Sequence, residues 1–139
     1  MPTAGAHSLP PVDDALLFLH VLAAFAMVSG IVILTAAVLR VPVGTGPFAV
    51  GNRLVEIGAM VALLLGVWMV LREDVYDITD GWILGAIGLW LVTAVVGGMA
   101  GRDVPEGTTA YEGKARLLHW VALVAAIGIL VLMVWKPGA

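Results

Sequence analysis

Long apolar runs separated by short polar segments dominate the chain. The runs cover residues 15–39, 57–71, 81–101 and 117–135, and within them only His20 and His119 can ionise. A transmembrane helix needs about 20 mainly apolar residues, because it rises about 1.5 Å per residue through hydrocarbon about 30 Å thick. The second run reaches that length if its helix begins near Phe48. The pattern therefore predicts four spans, over 13–40, 48–72, 80–101 and 114–136.

Composition supports a membrane protein. Hydrophobic residues make up 61% of the 139 residues and charged residues 12%, against roughly 45–50% and about 25% in soluble domains. Because the connections are short, we predict one all-α polytopic membrane domain over residues 1–139, folded as an antiparallel four-helix transmembrane bundle. The expected partner is the lipid bilayer. A net charge of −3 without a basic patch excludes nucleic acid, and the absence of cysteine excludes thiolate chemistry.

Basic residues are unequally divided between the two ends of the predicted bundle. Arg72 and Lys136 belong to one end, whereas the other end carries Arg40, Arg53, Arg102, Lys114 and Arg116. Cytoplasmic ends of membrane spans carry an excess of Lys and Arg. We therefore predict that the five-residue end is cytoplasmic and that both termini lie outside.

Small residues repeat every four positions in the second and third spans. The repeats are Gly58, Ala62 and Gly66, then Gly81 with Gly85, and Gly97 with Gly101. Residues at this spacing share a helix face and let two backbones approach closely. We interpret them as packing positions within the chain, in preference to a dimer contact.

His20 lies about two turns into the first span, where an imidazole needs a partner. One interpretation is a neutral ring bonded to a carbonyl or hydroxyl of a neighbouring helix. The other is a cofactor site, with His20 as a haem or metal ligand, a quinone hydrogen-bond donor or a proton-relay group. His119 is predicted near the opposite membrane face, which disfavours a haem held by both histidines. His20 is therefore the candidate cofactor residue, and haem the candidate cofactor.

A second group of ionisable residues is predicted at the cytoplasmic end. Arg53 and Glu56 are three residues apart on the second span, as are Arg116 and His119 on the fourth. Side chains at this spacing are neighbours on a helix surface. The four residues form a candidate intramembrane polar cluster that binds or relays something. The alternative is that the arginines extend to lipid phosphates and Glu56 neutralises them. No catalytic set or metal-binding motif is recognisable.

Two stretches resemble known families. "LLFLHVLAAFAMVSG", with His20 and Gly30, and "ITDGWILGAIGLWLVTAVVGG" resemble the first and third spans of small bacterial integral membrane proteins of unknown function. The first span is more distantly similar to those of copper-resistance D-type proteins and of the membrane protoporphyrinogen oxidase. In that oxidase the matching histidine is important to a haem-associated activity. The resemblance implies a four-span fold in the bacterial inner membrane and a haem-associated position for His20.

Three functional hypotheses follow, and none requires an enzyme. The first is a structural or accessory subunit of a larger membrane complex or homo-oligomer. The second is a haem- or quinone-associated redox protein that uses His20. The third is a small transporter or proton relay that uses Glu56 and His119. From the sequence we favour the first.

Overall fold

The computed structural model describes residues 11–72 and 77–136, with the backbone alone at residues 11–13. This part of the chain forms four helices and no strand: α1 (Pro11–Val38), α2 (Thr45–Arg72), α3 (Gly81–Arg102) and α4 (Gly113–Trp135). Each helix is long and apolar enough to cross a membrane. The prediction of an all-α protein with four helices of transmembrane length is confirmed.

The end of α2 at Arg72 agrees with the predicted span, and the other helix ends differ by one to three residues, for local reasons. α1 begins at Pro11, because proline fits a first helical turn, where its missing N–H costs no hydrogen bond. α1 ends at Val38, before Arg40, whose φ of 62° lies in the left-handed region. The N–H of Val41 then donates to the carbonyl of Ala36 at 3.0 Å, a bond that closes the end of the helix.

α1 packs mainly on α2, through glycines that bring the two backbones together. A Cβ added at Gly30 would lie 2.5 Å from the carbonyl oxygen of Gly51, and one at Gly58 would lie 2.7 Å from that of Ala23. Gly66 leaves space for the imidazole of His20, whose Cε1 would be 3.1 Å from an added Cβ. The packing interpretation is therefore confirmed for Gly58 and Gly66.

α3 packs mainly on α4, and fewer contacts join this pair to the first. Gly85 lies against Leu132, whose Cδ1 would be 3.1 Å from an added Cβ. Gly81 has nothing within 4 Å of an added Cβ, so the predicted close packing is wrong there. The antiparallel arrangement of all four helices remains a prediction.

The surface and the interior differ in side-chain size. Large apolar side chains lie on the outside, with Phe18 65% and Phe25 68% exposed. Many buried positions of the helix interfaces hold alanine or glycine. A water-soluble protein rarely exposes apolar surface so extensively, whereas a bilayer solvates it. The arrangement suits helices that pack closely through small residues and face lipid with large ones.

Candidate functional site

A cavity of about 440 Å³ lies among the four helices. All four helices and the connection before α4 contribute to its walls. Ile31, Val55 and Leu123 are among its apolar lining residues. Its polar lining residues are Asn52, Glu56, Trp90, Thr93, Arg102, Tyr111 and His119. A concave space with a few convergent polar groups is the usual form of a ligand site, and this cavity is the candidate site.

His119 is buried on α4 and is held by α1. Its Nε2 lies 3.0 Å from the hydroxyl oxygen of Thr35, which itself donates to the carbonyl of Ile31 at 2.7 Å. Since that bond uses the one hydroxyl hydrogen, the imidazole N–H at Nε2 donates to Thr35 and Nδ1 carries the lone pair. Among the residues described, no hydrogen-bond partner occupies Nδ1. The imidazole is therefore oriented by one nitrogen and has the other available to accept a proton or hydrogen bond.

Aromatic rings surround the imidazole at the end of the cavity. The Tyr111 ring centroid lies 5.3 Å from that of His119 and 5.9 Å from that of Phe48. Trp120 contacts the imidazole edge-on, at 6.1 Å between centroids. Burial raises the pKa of Tyr111, which lies before α4, so its phenol stays protonated well above neutral pH. The structure thus adds a neutral hydroxyl donor to the site.

Glu56 lies on the cavity wall formed by α2. Within residues 11–72 and 77–136, no hydrogen bond or ion pair involves its carboxylate. Of the predicted polar cluster, the structure therefore brings Glu56 and His119 to one cavity.

The two arginines of the predicted cluster lie elsewhere. Arg53 and Arg116 have exposed side chains, and neither lines the cavity. A step of three residues turns a helix side chain by about 60° from its neighbour, so Arg116 faces outward while His119 is buried. These positions are those expected of arginines that extend to the membrane surface.

Five polar lining residues were missed in the sequence: Asn52, Trp90, Thr93, Arg102 and Tyr111. Asn52 had a usable indication, because it lies four residues before Glu56 and so shares its helix face. Trp90 and Thr93 stand alone among apolar residues of α3, so the sequence gave no indication that they line a site. Both are satisfied within the protein, with Trp90 Nε1 donating to the Ala59 carbonyl at 3.0 Å and Thr93 donating to the Leu89 carbonyl at 2.9 Å.

Three glycines of α3, Gly97, Gly98 and Gly101, form a wall of the cavity without side chains. We call them the glycine wall. An added Cβ at Gly97 would lie 3.7 Å from the Cβ of Ala122, and one at Gly101 would lie 3.8 Å from Asn52 Oδ1. At Gly98 nothing lies within 4 Å. Gly97 and Gly101 therefore lie at ordinary packing distance from α4 and α2, with room for a methyl group, and Gly98 faces open space.

His20 lies apart from this cavity, at the α1–α2 interface. Its Nδ1 is 2.9 Å from the carbonyl oxygen of Ala62, so the ring donates a hydrogen bond to the neighbouring helix. Thr35, which holds His119, is fifteen residues further along α1, or about 22 Å. The two histidines are thus too far apart to hold one haem. Among the described residues, no group of three or more His, Asp or Glu side chains could hold a metal ion.

No protein family, curated protein or solved structure matches the chain. The resemblances of the first and third spans remain predictions. The chemistry of the site therefore rests on its own geometry.

Proposed function

We propose that this is a multi-pass protein of the bacterial inner membrane that binds a small ligand in the cavity and relays protons through Glu56 and His119. One observation carries the proposal: Glu56, whose side chain is exposed on α2, and the buried His119 on α4 line the same cavity, and neither belongs to an ion pair within residues 11–72 and 77–136. Ionisable groups are costly inside a membrane and mark ion or proton pathways when they occur there.

The chemistry of the two groups suits proton exchange. Imidazole is the side chain that titrates closest to neutral pH, and Nδ1 of His119 has its lone pair available. The bond from Nε2 to Thr35 fixes the ring and keeps Nδ1 in place. A carboxylate with no cation beside it is stabilised in an apolar setting when it takes up a proton or a cationic ligand. Glu56 and His119 therefore provide two exchange points along one cavity.

The proposed orientation places the five-residue basic end in the cytoplasm and both termini outside. The connection between α2 and α3 is then external. In it, the pKa of Asp77 is lowered by hydrogen bonds from the backbone N–H and hydroxyl of Thr79, at 2.9 and 2.8 Å. Residues 73–76 of this connection lie outside the described residues.

Proton movement into proteoliposomes tests the relay. A potassium diffusion potential would drive protons inward past a pH-sensitive dye trapped in the vesicles. We expect the wild-type protein to acidify the interior faster than empty vesicles do, and Glu56→Gln to return the rate to that of empty vesicles. Glu112→Gln is the matched control, because Glu112 is exposed and does not line the cavity. Equal rates for wild-type protein and Glu56→Gln would overturn the relay.

A second candidate function is a haem-associated redox protein built on His20. The supporting observation is the bond from His20 Nδ1 to Ala62, because metal-bound histidines commonly donate the second ring N–H to a carbonyl and bind metal through the other nitrogen. The expected result is a Soret band in the purified protein that disappears in His20→Ala. A colourless wild-type protein, reconstituted with haem in excess, would exclude this candidate.

The accessory-subunit hypothesis rests on the sequence alone. The exposed apolar side chains around the helices suit lipid and partner helices equally. Recovery of a stoichiometric partner in mild detergent, lost when an exposed face such as that of Phe25 is made polar, would support it.

A further inference from the structure

A second space lies beside the polar cavity and has the opposite chemistry. It is a groove of about 400 Å³ between α1 and α4. Among the described residues, Thr35 is the one polar residue that lines it. Its floor holds Met27 and Ala126, both buried, and its rim holds Val32 and Ile127, which are 62% and 51% exposed. The groove is therefore an apolar trough that opens on the side of the helices that faces lipid.

The groove and the polar cavity share walls. Ile31 and Leu123 line both spaces, one from α1 and one from α4. Thr35 lines the groove, and its hydroxyl is bonded to His119, which lines the cavity. The apolar groove, which is open to the membrane, and the cavity with its polar groups therefore adjoin each other at these side chains.

The glycine wall gives the cavity a flat side. Gly97, Gly98 and Gly101 face space that an added methyl group would enter without meeting an atom closer than 3.7 Å. Helix packing therefore does not require glycine at these positions. The other walls include the rings of Tyr111 and His119, from the connection before α4 and from α4. A cavity with a bare backbone surface and aromatic rings in its walls is suited to a flat ring, which stacks on aromatic side chains.

Hydrogen-bonding groups at the cavity surround this space. The Tyr111 hydroxyl and His119 Nδ1 have no hydrogen-bond partner among the residues of 11–72 and 77–136. The Tyr111 hydroxyl can donate, His119 Nδ1 can accept, and Arg102, an exposed residue of the cavity wall, carries further donors. Such a set recognises a ring that carries oxygen atoms in either carbonyl or hydroxyl form.

We propose that the ligand is a lipid-soluble molecule of the isoprenoid-quinone class, with its oxygenated ring in the polar cavity and its apolar chain in the α1–α4 groove. The inference rests on the proposed function in taking the same cavity as the ligand site, and it adds the class of ligand and its route of entry. The ligand enters sideways from the bilayer between α1 and α4.

The two spaces contribute differently to binding. Lipid tails are as apolar as the groove, so the chain gains little from leaving the membrane. The groove therefore selects molecules by shape and directs the ring, whereas the hydrogen bonds and stacking in the cavity supply most of the affinity. A ligand that lacks the oxygenated ring is consequently expected to bind poorly, however well its chain fits.

The test measures binding of decylubiquinone to the purified protein in nanodiscs, by saturable quenching of tryptophan fluorescence above the linear quenching of empty discs. Trp90 lines the cavity and provides the nearby fluorophore. Gly98→Leu places a side chain in the cavity, and Gly88→Leu is its control on the same helix, with nothing within 4 Å of an added Cβ and no part in the cavity. We expect the dissociation constant to rise at least tenfold in Gly98→Leu and to stay within twofold in Gly88→Leu.

A second variant examines the groove. Ala36 lines the groove and not the cavity, so Ala36→Phe places its added volume in the groove. It should weaken decylubiquinone binding while leaving binding of the same ring without its chain unchanged. Absence of saturable binding to the wild-type protein, or equal loss in Gly98→Leu and Gly88→Leu, would overturn the proposal. Proton flux that depends on Glu56 in a protein without saturable quinone binding would overturn this ligand class alone and leave the relay standing.

Discussion

Two sets of glycines in this protein share one spacing and serve opposite purposes. On α2, Gly58 begins a repeat of small residues every four positions, and a methyl group there would overlap the carbonyl oxygen of Ala23 on α1. On α3, Gly97 and Gly101 lie four residues apart and line the cavity, and a methyl group at either would meet its nearest atom at ordinary contact distance, 3.7 or 3.8 Å. The same pattern therefore brings two helices together in one place and keeps a cavity open in another. What distinguishes the two is the partner across the interface, which a helix's own sequence does not specify.

The largest expected effect on the free energy of unfolding is at the interface between α1 and α2. Gly30→Ala should destabilise the protein by about 1–3 kcal/mol, because an added methyl group 2.5 Å from the Gly51 oxygen forces α1 and α2 apart. Unfolding of the purified protein by steric trapping in bicelles would measure the change. Gly88→Ala on the outer face of α3 is the control and should be neutral or slightly stabilising. Equal stability of Gly30→Ala and Gly88→Ala would refute the close contact.

A substitution in the glycine wall should change the stability in the opposite direction. Gly97→Ala meets no clash, and alanine favours a helix over glycine by up to about 1 kcal/mol. We therefore expect unchanged or increased stability in the same unfolding assay. A loss comparable to that of Gly30→Ala would mean that the wall is a packing surface, and the contrast between the two glycine sets would disappear.

A smaller effect is expected from the bond between Thr35 and His119. Thr35→Val keeps the shape of the side chain and removes the hydroxyl, so α1 loses one hydrogen bond to α4. Interhelical hydrogen bonds in membranes contribute about 0.6 kcal/mol on average, and we expect a destabilisation of that size. His119→Ala also removes the ring contacts with Tyr111 and Trp120, so in a double-mutant cycle the loss in the double variant should fall short of the sum of the two single losses by the energy of the Thr35–His119 bond. Fully additive losses would show that the two side chains do not interact.

The smallest effect is the change in stability that Tyr111, at the end of the cavity, causes at alkaline pH. Burial raises the pKa of Tyr111, so the folded protein holds the phenolic proton more tightly than the unfolded chain does. The resulting contribution to the free energy of unfolding is fully present below the ordinary tyrosine pKa of about 10. It is lost as the pH rises through the higher pKa that Tyr111 has in the folded protein. Absorbance of tyrosinate near 295 nm, compared between wild-type protein and Tyr111→Phe, would locate the midpoint. A midpoint at or below the ordinary value would contradict burial of the phenol.

The fold was largely predictable, because the hydropathy of the sequence indicates four helices of transmembrane length. Bilayer thickness determines the length of an apolar run, and only the helix ends depended on local details such as Pro11 and Arg40. The pairing of α1 with α2 also agrees with Gly58 and Gly66. The cavity was not predictable, because residues of all four helices line it. The sequence of a single helix does not indicate an empty space between helices.

Part of the candidate site was predictable, because hydropathy also shows which ionisable residues lie within apolar runs. Glu56 and His119 stand out as ionisable groups in apolar runs, and the structure places both at the cavity. Arg53 and Arg116 stand out equally but do not line the cavity, because a small rotation about the helix axis separates one helix face from the next. Tyr111 gave no indication of the site, because an aromatic ring near a span end is expected at the membrane surface by default.

The hydrogen bonds between the helix pairs are few, and this affects how the protein is made. Among the described helix residues, two side-chain bonds join the α1–α2 pair to the α3–α4 pair: Trp90 to Ala59 and Thr35 to His119. Each pair completes most of its own packing without the other. A ribosome could therefore deliver α1 and α2 to the membrane as a finished hairpin before α4 is synthesised, and the cavity would form only when the second hairpin docks.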